Sequence, residues 1–165
     1  MITLSLDCST SCTGYAVFNE DKLIHYGCIK PDGDSWRERL THEGAPLSEL
    51  IKTYKPNRLI VEEVPLKAAN IKVLMILGAV QGYVLGIAAS HHVPIQFVLP
   101  QKWRSDIGIF DGTREGTKRD VLKKKSVEKA NELFGLDLNW VSPSSSKNDD
   151  DISDAILLGW SQIHK

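Results

Sequence analysis

Asp7, Glu62, Asp151 and Asp154 stand where a simple fold would place something apolar or neutral. Asp7 closes the run Ile2-Thr-Leu-Ser-Leu-Asp7, and Glu62 falls inside the most aliphatic stretch, Leu59-Ile-Val-Glu62-Glu63-Val64. Asp151 and Asp154 open the segment Asp151-Ile-Ser-Asp154-Ala-Ile-Leu-Leu. Carboxylates drawn from two strands and a helix suit hard cations, and Mg²⁺ takes oxygen ligands while retaining water for chemistry. Two such ions about 4 Å apart activate a water and stabilise the leaving oxygen of a phosphodiester. The set points to a two-metal phosphoryl-transfer site.

Spacing constrains the set without closing it. Asp151 and Asp154, at i and i+3, share a helix face, and so do Asp150 and Asp154 at i and i+4. Glu62 and Glu63 are neighbours in a strand and point to opposite faces, so only one can share a site with Asp7. Taken singly, each aspartate has a blander reading as a turn residue, a helix cap or a partner of the helix dipole. A glutamate in an aliphatic strand is harder to dismiss, because burying it without a partner is costly.

Other chemistries lack a signature. The five histidines include His91-His92 but no HExxH pattern, and there is no Walker A loop or nucleophile elbow. Cys8, Cys12 and Cys28 are odd in number and fit neither a disulfide framework nor a zinc pattern. Cys8 and Cys12 read as small packing residues, and a reducing cytoplasm is the expected setting. The turn Ser9-Thr-Ser-Cys-Thr-Gly14 after Asp7 resembles a weak phosphate turn. It supports a rival reading, an actin-like or sugar-kinase-type nucleotide-binding module. A non-catalytic scaffold of the same fold is the other rival.

The 165 residues predict a single domain, 1–165, and 42% hydrophobic with 25% charged residues is ordinary for a soluble globular chain. No basic leader opens the sequence, and no apolar run reads as long and uninterrupted enough for a membrane span. A net charge of −1 is not the footprint of a nucleic-acid binder. Its distribution is more informative. Lys102, Arg104, Arg114, Lys118, Arg119, Lys123, Lys124, Lys125 and Lys129 crowd one stretch, while Asp149, Asp150, Asp151 and Asp154 gather later. Together they could form a phosphate-binding rim around a metal site; the bland alternative is a solvated helix face.

The elements that must position these residues follow from periodicity. Alternation in Ile2–Asp7 puts Asp7 on the polar face of a first strand. Strands at about Tyr15 to Phe18 and Leu23 to Ile29 complete an antiparallel meander. Ser35 to Tyr54 reads as a helix, with Gly44 and Pro46 as candidate interruptions, and Asn57 to Val64 as a buried strand. Ala68 to His91 is apolar nearly all round, which predicts burial on more than one side, with small residues at Gly78, Gly82 and Gly86. Pro94 to Leu99 is a short strand. Gly108 to Gly116 and Ser142 to Lys147 read as mobile loops, and Lys118 to Phe134 and Asp150 to Ile163 as helices. A meander followed by alternating helices and strands predicts a mixed sheet with helices on both faces. In such a sheet strands one and four lie side by side, bringing Asp7 and Glu62 together.

In order along nearly the whole chain, the motifs resemble those of the RuvC-type Holliday-junction resolvases. Leu6-Asp7-Cys-Ser-Thr-Ser-Cys-Thr-Gly14-Tyr15 is similar to their opening, Ile60-Val-Glu62-Glu63-Val to their second acidic strand, and Leu77-Gly78-Ala-Val-Gln81-Gly82 to their long helix. Pro100-Gln-Lys102-Trp-Arg104, Thr117-Lys118-Arg-Asp-Val121 and Asp151-Ile-Ser-Asp154-Ala155 resemble the basic turn, the start of the basic helix and the closing acidic motif. The resemblance implies an RNase H-like fold with a five-stranded sheet, a homodimer, and Mg²⁺- or Mn²⁺-dependent cleavage of four-way DNA junctions. It implies Asp7, Glu62, Asp151 and Asp154 as ligands of two ions and Lys118 as a contact to the scissile phosphate. It implies a second basic residue, either Lys102 or Arg104, with Arg119, Lys123, Lys124 and Lys125 in the DNA-binding stretch. The family's aromatic wedge after the second acidic strand is replaced here by Pro65-Leu66-Lys67. A small, divergent member would suit a phage, trimming branched DNA before packaging.

Overall fold

A computed structural model describes residues 1–65 and 70–164. Leu66 and Lys67, in the segment that replaces the wedge, and Ala68, the expected start of the long helix, lie outside the described residues. The strands are β1 (Ile2–Asp7), β2 (Thr13–Asn19), β3 (Lys22–Ile29), β4 (Arg58–Glu62) and β5 (Ile95–Val98). The helices are α1 (Trp36–Tyr54), α2 (Ile71–Ser90), α3 (Pro100–Asp106), α4 (Arg119–Phe134) and α5 (Asp150–Ile163). The strands form one sheet in the order β3-β2-β1-β4-β5. β1, β2 and β3 pair antiparallel, whereas β1, β4 and β5 run parallel. Strand order therefore reverses at the β1/β4 boundary, and the crevice at the carboxyl ends of such strands is where open α/β sheets bind ligands.

Alternation along each strand sorts the core into two layers. Leu4, Leu6, Leu59 and Val61 face α1 and α2, where they meet Leu47, Ile51, Val80, Val84 and Ala88. Ile60 and Val98 face Trp103, Leu157 and Leu158, and Ala16 and Phe18 meet Ile156. Each fully buried aliphatic side chain contributes roughly 1.5–3 kcal/mol. The β1 face that carries Asp7 carries Ser5 as well, and the Ser5 hydroxyl donates to the Ala155 carbonyl at 2.7 Å. That bond lays α5 on the sheet. The approach is close at Gly159, where a Cβ would lie 2.5 Å from Ser5 Oγ. Gly14 plays the same part at the other end of the helix: a Cβ there would come within 1.9 Å of the Asp151 carbonyl oxygen.

Several expectations need correction. α1 runs unbroken through Gly44 and Pro46. Gly44 is required by packing, since a Cβ would lie 2.2 Å from the Tyr83 hydroxyl. Pro100–Asp106 is a short helix rather than a turn. α2 buries only the stripe Val80, Val84 and Ala88. Ile71, Val73, Met75 and Leu85 are exposed, and Cβ atoms at Gly78, Gly82 and Gly86 would meet nothing. By length and composition α2 is also apolar enough to cross a membrane, with mean hydropathy 1.9. The two loops expected to be mobile are laced by side chains. Asp111 accepts from the Thr113 amide and hydroxyl at 2.9 and 2.8 Å. Asn139 and Asp149 exchange three bonds, and Asn148 bridges Val141 and Ser142.

Candidate active site

The pairing of Leu6 with Val61 leaves Asp7 and Glu62 next to each other at the carboxyl ends of β1 and β4. Both project toward α5, whose first two turns bring Asp150, Asp151 and Asp154 over them. Glu63 points the other way, into a cleft with Leu74, Gly78 and Phe97 beside α2. The geometry thus gathers the four acidic residues singled out in the sequence, with Asp150 beside them.

Two cations stand among these carboxylates. Lys123 of α4 places its ammonium 2.7 Å from Asp154, 3.2 Å from Asp150, 3.7 Å from Asp7 and 3.8 Å from Asp151. Arg104 of α3 lies 3.1 Å from Asp154 and 3.5 Å from Glu62, with its guanidinium over the Trp103 ring. Trp103, fully buried, donates its indole N–H to Glu62 at 2.8 Å. Of the two residues left open by the sequence, Arg104 reaches the site, whereas Lys102 is exposed and pairs with Asp106. Lys118, half exposed, pairs with Glu115 at the entrance to α4. Arg119 faces solvent at the start of α4, and Lys124 and Lys125 pair with Glu128 and Asp111.

The charges are unbalanced, and the carboxyl groups respond. Burial, reinforced by the neighbouring Glu62, holds the Asp7 carboxyl well above the ordinary carboxylate range. Burial raises Glu62, although Arg104 pulls against it, and burial raises Asp151 against the pull of Lys123. Burial also works against an ionised Asp154, but Lys123 and Arg104 outweigh it and keep that carboxyl low. Asp154 and Asp7 in turn hold the Lys123 ammonium well above its usual range, despite burial. The buried Asp154 Oδ1 has no hydrogen-bond partner among the described residues. An all-carboxylate donor set with an orphaned buried oxygen and an excess of negative charge fits a hard divalent ion in kind. As packed, no group of three or more acidic, histidine or cysteine side chains among the described residues is arranged to hold a metal, because Lys123 and Arg104 fill the space between them.

Of the cysteines, Cys12 lies against the site, with its thiol hydrogen-bonded to Asp151. All three are free thiols, and burial pushes Cys8 and Cys12 up, Cys8 further by the charge of Glu43 and Cys12 by that of Asp151. Two features of the site escaped the sequence: Trp103, and the placement of Lys123, which the sequence put only in the DNA-binding stretch. Trp103 gives no signal beyond its place before Arg104. The inward turn of Lys123, five residues beyond Lys118, is set by α4 packing through Leu122, Ser126 and Val127, with Ser126 bonded to Ser153 at 2.9 Å.

A sheet ordered β3-β2-β1-β4-β5, with acidic residues at the ends of its two central parallel strands and on a helix laid across them, is an RNase H-like architecture. The chain belongs to the family described as crossover junction endodeoxyribonuclease RuvC, whose profile matches residues 3–124. That family generally uses Mg²⁺. A crossover junction endodeoxyribonuclease RuvC from Dictyoglomus thermophilum is 28% identical over 174 residues, covering 100% of this chain and 98% of the relative. RuvC of T. thermophilus in complex with a Holliday junction substrate superimposes with a TM-score of 0.73 at 16% identity, over 98% of this chain and 92% of that one. The Fowlpox virus resolvase in complex with Holliday junction DNA gives 0.62 at 19% identity, over 99% and 97%.

Proposed function

We propose that this chain, read as one nuclease domain, is a metal-dependent endonuclease that cuts phosphodiesters in four-way or other branched DNA junctions. The observation that carries this reading is the convergence of Asp7, Glu62, Asp151 and Asp154 where β1 and β4 end under α5, in a member of the RuvC family. These four carboxylates would hold two Mg²⁺ or Mn²⁺ ions, which supply Lewis acidity and an activated water when bound. Trp103 and Arg104 hold Glu62 and Asp154 in position. Lys123, paired with the carboxylates as packed, would offer its ammonium to a phosphate oxygen of the strand once their charge is met by metal. Lys118, Arg119, Lys102, Lys124 and Lys125 supply cations along the approaching backbone, with Lys118 as the contact to the scissile phosphate that the family resemblance implies.

Paired cuts on opposing strands need two sites at a fixed separation, which a closed two-fold dimer provides. The uncovered apolar face of α2, with Gly78, Gly82 and Gly86 open to close approach, supports that assembly. The direct test is purified protein with labelled four-way, Y-shaped and linear duplex DNA, with and without Mg²⁺ or Mn²⁺. Metal-dependent incision of the branched substrates in preference to linear duplex is expected; equal cutting of all three would refute structure selectivity.

A further inference from the structure

Beside the carboxylates, a cleft of about 330 Å³ opens between the first turns of α4 and α5 and is lined by Arg119, Asp120, Lys123, Trp140, Pro143 and Asp150. Lys123 and Asp150 belong to this cleft and to the acidic site at once, so whatever enters it lies directly beside the reacting phosphate. We propose that the cleft receives one nucleobase of the cut strand, stacked on Trp140, and that this contact helps choose where the strand is cut. The inference rests on the junction-nuclease reading and adds to it a residue that selects the nucleotide.

Three features favour a base over a phosphate. The charged lining residues cancel, Arg119 and Lys123 against Asp120 and Asp150, so the cleft is not a net anion cradle. Its wall is an indole, and every base offers a π-face to an aromatic side chain. Its rim carries unspent donors and acceptors. Arg119 and Asp120 form no ion pair among the described residues, and the Trp140 indole N–H has no partner there. Arginine and aspartate are side chains that read base edges, guanine by the former and the cytosine amino group by the latter.

Trp140 is also held in place before any strand arrives. The Asn139–Asp149 bonds close the loop on one side of it, and the Asn148 amide ties Val141 and Ser142 on the other. A partly buried tryptophan between two such clamps loses little freedom on binding, which favours affinity. A base can reach such a cleft only by leaving its stack, which is least costly at the unpaired or strained centre of a branched substrate.

The test combines Trp140→Ala and Trp140→Phe with four-way junctions in which a single abasic site is walked through the nucleotides flanking each mapped cut. Cleavage is followed in Mg²⁺ and junction affinity without metal. Alanine is expected to lower cleavage efficiency by a factor of about 5 to about 150, matching roughly 1–3 kcal/mol for one stacked base, and to spread the cut positions. Phenylalanine should keep most of the activity. At one flanking nucleotide the abasic site should cost the wild type the same factor and cost Trp140→Ala nothing more. If Trp140→Ala matches the wild type in rate and cut pattern, or if its loss multiplies with the abasic loss at every position, the base pocket is wrong while the nuclease stands. If the wild type neither cuts nor binds branched DNA, both readings fall.

Discussion

Lys123 Nζ and Asp154 Oδ2 are 2.7 Å apart, and the Asp154 side chain is only 1% exposed. This pair is the electrostatic keystone of the metal-free site: one ammonium answers a carboxylate that Arg104 alone cannot satisfy. Removing one member of a buried pair strands the other and costs about 3–5 kcal/mol. Lys123→Met should therefore lower the melting temperature in EDTA, and Mg²⁺ should recover more of the loss than it adds to the wild type. Calorimetric scans with and without Mg²⁺ would show it; equal Mg²⁺ shifts in both proteins would separate Lys123 from the metal site.

Neutralising the carboxylates should divide catalysis from binding. Asp7→Asn, Glu62→Gln, Asp151→Asn and Asp154→Asn are each expected to abolish cleavage while junction affinity persists, because phosphate contacts are made elsewhere. Glu63→Gln, on the opposite face of the strand, should keep most activity. Full cleavage in any two of the four would remove the metal assignment. Without metal, Asp7→Asn should also melt higher than the wild type, since burial and Glu62 both disfavour the Asp7 charge.

Glu43 is a buried carboxyl on the apolar side of the sheet. The Thr13 hydroxyl donates to one of its oxygens, the other has no partner, and the Cys8 thiol lies nearby. Burial raises its folded-state pKa even though Thr13 pulls it down. A raised carboxyl contributes stability that is full below the unfolded value and is lost as pH climbs through the folded one. Glu43→Gln keeps the shape and the bond to Thr13 without the charge. The variant should gain on the wild type in melting temperature as pH rises above the ordinary carboxylate range, and parallel curves would refute the assignment.

Salt dependence should separate the lysines of α4. Junction binding is expected to weaken steeply with salt, and reversing Lys124 and Lys125 together to Glu should flatten that slope by about one unit per lost phosphate contact. Lys123 belongs in a separate experiment, because its reversal would also break the acidic site. Binding indifferent to salt and to the double reversal would leave α4 a solvated face.

Dimerisation should depend on the uncovered side of α2. Met75→Glu with Leu85→Glu puts charge on that face without touching Val80, Val84 or Ala88. Sedimentation at micromolar concentration should show a dimer for the wild type and a monomer for the variant, with nicks on opposing strands becoming uncoupled. A wild type that is strictly monomeric and active would refute paired incision by a stable dimer.

Much of this arrangement is legible in the sequence, for reasons specific to each element. Alternation in Ile2–Asp7 marks β1 and the face Asp7 shares with Ser5, and the glutamate inside Leu59–Val64 marks β4 as more than core. Local pattern fails where tertiary packing decides. α3 spans seven residues, too few for a helical period to show. The all-round apolar composition of α2 cannot say which stripe the subunit covers. Lys118 and Lys123 are both lysines at one end of one helix, and only the seat of Leu122 and Val127 turns the second inward. The loop Ser142 to Lys147 reads as mobile because backbone-to-side-chain bonds between residues seven to ten apart leave no trace in composition.

The Ser5–Ala155 bond and the glycines at positions 14 and 159 let α5 dock as a late-made piece on a sheet whose strands all precede it. Asp151 and Asp154 ride on that piece, more than a hundred residues along the chain from Asp7. Contacts of such sequence separation form late, and domains emerge from the ribosome in order. A growing chain that has not reached α5 has all five strands and the lysines of α4, yet lacks half the acidic set. On the proposed ligand set, the capacity to cut thus arrives in a single step with the seating of one helix.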